Sequence, residues 1–124
     1  MVDYSTYVIS IDTKVKTALQ RLNSLSGGAM TLFVVKKNKL QGTLTDGDIR
    51  RALLKGKSID STVDKFMFRT PFVLVNKNFS LVDIQKIKKK NLVLVPIVNQ
   101  QNEIVRVIDF SKKKSVLPVR AIIM

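Results

Sequence analysis

The feature that most narrows the fold is an internal repeat. Phe33, Val34, Asn38 and Leu40 recur as Ile97, Val98, Asn102 and Ile104, a period of about 64 residues. The local patterns recur with it. Residues 7–10 read as a short strand, and Val15, Ala18, Leu19 and Leu22 fall at helical spacing, which predicts a helix over about 14–25 stopped by Ser26-Gly27-Gly28. A β-rich run at 31–35, a turn at Lys37-Asn38 and a returning strand at 40–44 come next. A second helix is expected over about 46–55, burying Ile49, Ala52 and Leu53 and ending at Gly56. After a connector at 58–69, with one helical turn around Val63, Phe66 and Met67, the order restarts. A strand at 72–75 leads to a helix capped by Ser80 that carries Leu81, Ile84 and Ile87 and ends near Asn91. Strands at 92–98 and 104–108 flank a turn at 99–102.

Each unit therefore reads strand, helix, strand, strand, helix. The expected class is α/β (α+β), with two βαββα repeats packed as a pseudo-symmetric pair. The expected division is 1–58 for the first repeat and 59–115 for the second. Residues 116–124 are left as the start of something further. The whole chain, at 124 residues, is the size of one ordinary domain, and each half alone would bury too little surface to be very stable. Packing the halves together would complete a core, and dimerisation would help further.

Composition removes several chemistries. There is no cysteine and no histidine, which excludes disulfides, thiolate nucleophiles, imidazole bases and most zinc sites. No apolar run approaches the roughly 18 residues needed to cross a bilayer, and the N-terminus lacks a signal-peptide core. A soluble, cytoplasmic protein without membrane partners is expected. The formal charge is +13, a field that draws anions of any kind: nucleotides, nucleic acid or acidic surfaces.

The most informative segment is Gly42-Thr43-Leu44-Thr45-Asp46-Gly47-Asp48-Ile49-Arg50-Arg51, where a strand is expected to become a helix. The first N–H groups of that helix lack intrahelical acceptors and can hold a phosphate. The Thr45 hydroxyl adds a donor, and the Asp48 carboxylate can accept from both hydroxyls of a ribose. The same spacing is close to a capping box, in which Thr45 and Asp48 serve only the helix start. On spacing alone the cap is the better reading, and the two roles can coexist. Asp46-Gly47-Asp48 also has the form of a metal-binding Asp-x-Asp, but nothing else in the chain supports a metal site.

The string from Gly42 to Leu53, following Leu32-Phe33-Val34-Val35, resembles the cystathionine-β-synthase-type (CBS) domain: a glycine, two small or apolar residues, Ser or Thr, two further residues, then Asp. Residues of about 8–112 resemble two copies, that is, a tandem CBS pair or Bateman module. The resemblance implies a regulatory module without catalytic residues or cofactor. Its ligand would be an adenine nucleotide (AMP, ADP or ATP), with Thr45 on phosphate and Asp48 on ribose. It further implicates Val8, Ile9, Thr31 and Phe33 around the adenine, and implies a homodimer. In the second copy Arg106 stands at the glycine position, Asp109 at the Ser/Thr and Lys112 at the Asp. Asp109 would repel a phosphate, and a lysine cannot accept from ribose hydroxyls. One usable site is expected, in the first copy.

Two lysine clusters remain, Lys86 with Lys88-Lys89-Lys90, and Lys112-Lys113-Lys114. The first falls at an expected helix C-terminus, where the helix dipole favours cations. Nucleic acid is usually bound with aromatics beside the basic patch, and the aromatics here are few and lie mostly in apolar strands. A nucleic-acid-binding module and a purely structural dimerisation module are the alternatives to a nucleotide sensor. The closing run Leu117-Pro118-Val119-Arg120-Ala121-Ile122-Ile123-Met124 resembles the opening strand of sugar-phosphate nucleotidyltransferases. One lineage of these, related to mannose-1-phosphate guanylyltransferases, carries a CBS pair at its N-terminus. Sugar-phosphate isomerases carry similar strings, usually at the C-terminus, whereas Met1 here lies just before the first strand. A covalently attached nucleotidyltransferase domain is therefore the expected partner.

Overall fold

A computed structural model describes residues 4–25, 31–75, 80–90 and 92–110. Expectations on Ser26 to Gly28, on Lys112 to Lys114, on a closing helix of the second repeat and on residues 116–124 lie outside the described residues. Two compact units are formed, one ending at Pro71 and one beginning at Phe72.

In the first unit a 3-10 turn, Tyr4–Tyr7, leads into β1 (Val8–Ser10), α1 (Val15–Ser24), β2 (Thr31–Lys36), β3 (Lys39–Thr45) and α2 (Asp46–Leu54). β1 lies parallel to β2, and β2 antiparallel to β3. Lys37 and Asn38, at φ 52° and 67°, form a two-residue turn whose twist matches that of the flanking strands. Gly56 follows α2 at φ 92°, the left-handed conformation that ends a helix without a Cβ penalty. The core gathers Ile9 from β1, Val15, Ala18 and Leu22 from α1, Leu32, Val34 and Leu44 from the sheet, and Ile49 and Ala52 from α2. Leu53, expected on the buried side, is 38% exposed. Helix α2 lays only a narrow stripe on the sheet, and Leu53 falls on its flank.

The connector is an integral part of this unit. Val63, Phe66 and Met67 are buried in the same core. The Val15 N–H donates to Ser61 O at 2.9 Å, and the Val63 N–H to Thr13 O at 2.8 Å. Thr43 and Phe68 exchange both backbone hydrogen bonds, at 2.9 and 2.8 Å, so residues around Phe68 run as a strap along the free edge of β3. The Thr62 hydroxyl donates to the Asp64 carboxylate, and this bond, with Lys65 and Arg69 nearby, holds Asp64 below the usual carboxylate range.

The second unit has β4 (Leu74–Val75), α3 (Leu81–Lys89), β5 (Leu94–Val98) and β6 (Ile104–Asp109), with the same parallel and antiparallel pairing. Its core holds Leu74, Ile84, Ile87, Val95 and Ile97. Leu81, which the helix carries along with Ile84 and Ile87, is 57% exposed, because the first turn of α3 stands clear of the stripe made by those two isoleucines. The units are mixed α+β, with a three-stranded sheet each and three α-helices in all among the described residues.

The repeat is real but carries a one-residue slip. Val34 pairs with Gly42 just before a bulge, and Ile97 pairs with Arg106 just before the matching bulge. Val34 therefore corresponds to Ile97, not to Val98 as the 64-residue period implies. Leu40 and Ile104 do correspond. The cause is the hairpin turn, one residue longer in the second unit, where Asn99 accepts the Gln101 and Glu103 N–H groups at 3.0 and 2.9 Å. A one-residue slip exchanges the faces of a strand, so the structural register is the one that aligns the two cores.

Gly42 is where strap and sheet meet. A β-carbon there would stand 2.4 Å from the Phe68 carbonyl oxygen and 3.1 Å from Met67 Sδ. Gly42→Ala should lower stability by about 1–3 kcal/mol, by forcing the strap off β3. Urea unfolding measures this, and an unchanged midpoint would show that the strap does not depend on the glycine.

Candidate functional site

The site is built where β3 runs into α2 without an intervening loop. Thr45 is the last residue of β3 and the N-cap of α2, with extended backbone at φ −116° and ψ 166°. Its Oγ1 accepts the Asp48 N–H at 3.1 Å, and the Asp48 Oδ2 accepts the Thr45 N–H at 2.9 Å. The capping box read from the spacing is therefore formed. It uses one carboxylate oxygen of Asp48 and one of the helix's opening N–H groups.

The box alone does not mark a ligand site, since Ser80 and Asp83 make the same reciprocal pair at the start of α3. The α2 turn differs in the arginines that come after it. Asp46 and Asp48 are each met by one of them a turn further on: Arg50 Nη1 donates to Asp46 Oδ2 at 2.7 Å, and Arg51 Nη2 to Asp48 Oδ1 at 2.8 Å. The Asp46–Arg50 pair is solvent-exposed and adds little stability. The Asp48 side chain is only 14% exposed.

Strand register sorts the other candidates. Val8, Phe33 and Thr43 stand side by side across the sheet, and Thr31 lies opposite Thr45. Alternation puts Val8, Thr31, Phe33, Thr43 and Thr45 on one face. Ile9 pairs with Val34 on the other face and belongs to the core beneath the helices. Val8 and Thr31 are half-buried, while Phe33 is 1% exposed. Four of the expected contacts thus share the face on which β3 delivers Thr45, with Asp48 one turn into the helix, and Ile9 stands apart.

Two residues were not assigned a role from sequence. Arg51 lies within the string from Gly42 to Leu53, but only its side-chain path shows that it meets Asp48. Phe68 is paired backbone-to-backbone with Thr43 and is 54% exposed, which puts an open aromatic in the row of Val8 and Phe33. Only its separation from Thr43 along the chain concealed it.

The second unit keeps the positions and changes the chemistry. Arg106 takes the register place of Gly42, and Asp109 the place of Thr45, opposite Leu94. Among the described residues no group of three or more His, Cys, Asp or Glu stands close enough to hold a metal. Nor is any helix among them long and apolar enough to cross a membrane.

Residues 3–55 match the family model described as the CBS domain. The Escherichia coli protein named arabinose 5-phosphate isomerase KpsF is 30% identical over 105 residues, covering 82% of this chain and 32% of that protein. The chain spans about a third of the length of the curated relatives it matches. Among solved structures, the CBS domain protein PAE2072 from Pyrobaculum aerophilum, complexed with AMP, superposes with a TM-score of 0.71 at 16% identity, covering 94% of this chain and 86% of that one. The CBS domain pair of MJ0100, in complex with 5′-methylthioadenosine and S-adenosyl-L-methionine, gives 0.65 at 22% identity, covering 82% of each. The chain has the fold of a CBS domain pair.

Thr45→Val keeps the β-branched shape and removes the cap acceptor. It should cost about 1 kcal/mol of stability in urea unfolding, while Thr45→Ser should cost little. Equal stability of the valine variant and the parent would show that the cap does not hold α2.

Proposed function

We propose that this chain is a regulatory, adenine-nucleotide-binding CBS pair with a single nucleotide site, in the first unit. The observation that carries this reading is the Thr45–Asp48 arrangement at the β3–α2 junction, inside the segment that matches the CBS domain. Phosphate would sit against Thr45 and the opening N–H groups of α2, which carry the positive end of the helix dipole. Asp48 would accept from the ribose hydroxyls. The base would lie along the sheet face that carries Val8, Thr31 and Phe33. In the second unit, Asp109 at the threonine position opposes a phosphate. Likeness to an AMP complex and to a methylthioadenosine complex supports the ligand class.

The module would sense its ligand in the cytoplasm, as a homodimer, and bias an attached sugar-phosphate enzyme. Its influence could be no larger than the ligand's differential affinity for two module states. The closing run 117–124 favours a nucleotidyltransferase as that enzyme. The named relatives favour an arabinose 5-phosphate isomerase. The reading frame around this segment discriminates the two.

Calorimetry with AMP, ADP, ATP and S-adenosylmethionine tests the sensor. At least one adenine ligand should give saturable heat, and Asp48→Ala should weaken it by about 1–3 kcal/mol. No heat with any of the four, well above millimolar, would overturn the proposal.

A further inference from the structure

The carboxylate expected to take the ribose is already engaged. Asp48 Oδ2 accepts the Thr45 N–H and Oδ1 accepts Arg51 Nη2 at 2.8 Å, which leaves the acid two of its four acceptor positions. A ribose diol calls for one hydrogen bond to each carboxylate oxygen, so a nucleoside arriving at Asp48 must share Oδ1 with Arg51. The Arg51 side chain is 66% exposed and free to leave.

The guanidinium also reaches past Asp48. A β-carbon at Gly47 would lie 3.2 Å from Arg51 Nη1 and 3.7 Å from Arg50 Nη2, so both arginines fold back over the first turn of α2. Helical side chains lean toward the N-terminus, which brings these heads to the end of the helix where the phosphate is expected. Gly47 leaves that approach open.

Resting on the nucleotide site proposed above, we propose that Arg51 selects for phosphate-bearing adenine nucleotides over adenine ligands without phosphate. In the empty site it neutralises Asp48. On binding it yields the carboxylate to the ribose and pairs with the phosphate, so its charge stays compensated. A thioether ligand such as 5′-methylthioadenosine takes Asp48 and gives Arg51 nothing in return. S-adenosylmethionine adds a sulfonium beside Arg50 and Arg51, and like charges repel. The two ligand classes seen in the similar CBS proteins are thus separated here by one side chain.

Competition calorimetry on the full chain with AMP and 5′-methylthioadenosine, in the parent, Arg51→Ala and Asp48→Ala, tests this. The parent should bind AMP at least tenfold more tightly. Arg51→Ala should weaken AMP by roughly tenfold and leave 5′-methylthioadenosine unchanged or tighter, so that the preference narrows or inverts. Asp48→Ala should weaken both. Equal affinity of the parent for the two ligands, or an Arg51→Ala variant that loses both alike, would overturn the role of Arg51 and leave the site itself standing. If neither ligand binds the parent, the site and the inference fall together. Urea unfolding of each variant shows whether a loss of binding is a loss of folding.

Discussion

Two hydrogen bonds between Thr45 and Asp48 fix the point at which β3 stops and α2 begins. The other features of the first unit are arranged around that junction. Because the cap is reciprocal, the helix starts directly off the strand, with no loop to blur the direction of its opening N–H groups. Because β3 is paired on one edge with β2 and on the other with the strap at Phe68, the strand that delivers Thr45 is held from both sides. Gly42 permits the second pairing, since any side chain there would collide with the Phe68 carbonyl. A glycine, a threonine and an aspartate at this spacing thus have separate physical duties: close approach of a neighbouring backbone, a hydroxyl that accepts the helix's N–H as its cap, and an acid held at the helix start.

The two units show what happens when those duties lapse. Arg106 and Asp109 occupy the register positions of Gly42 and Thr45 on a sheet of the same topology. The fold of the second unit survives both changes because it rests on Leu74, Ile84, Ile87, Val95 and Ile97, none of which belongs to the motif. Motif and scaffold are separable, so one repeat can exchange the residues at these positions while keeping the same sheet.

Most of the architecture was legible in the sequence, because the signals were local. Amphipathic spacing at Val15, Ala18 and Leu22, the Lys37-Asn38 turn and the Ser80 and Thr45 caps each need only a few neighbouring residues. What escaped depended on distant partners. Leu53 looks apolar enough to be buried, but the width of its helix stripe is set by the sheet beneath it. The one-residue slip between the repeats comes from the turn at Asn99, whose bonds reset the register. The strap at Phe68 pairs with a strand far back in the chain. At the site, the cap could be read from spacing, whereas the Arg51–Asp48 pair depends on the path of a long side chain. Val8, Thr31 and Phe33 share the face of Thr45, and Ile9, adjacent in sequence, is turned into the core by strand alternation.

The central claim is a single nucleotide site, at the start of α2. The most direct measurement is an NMR titration of the ¹⁵N-labelled chain with AMP, following every backbone amide. The account predicts saturable shifts centred on Thr45, Asp46, Gly47 and Asp48, with the amides of β6 around Arg106 and Asp109 left in place. Saturation of a second set of shifts centred on β6, or titration without movement at Gly47 and Asp48, would contradict it.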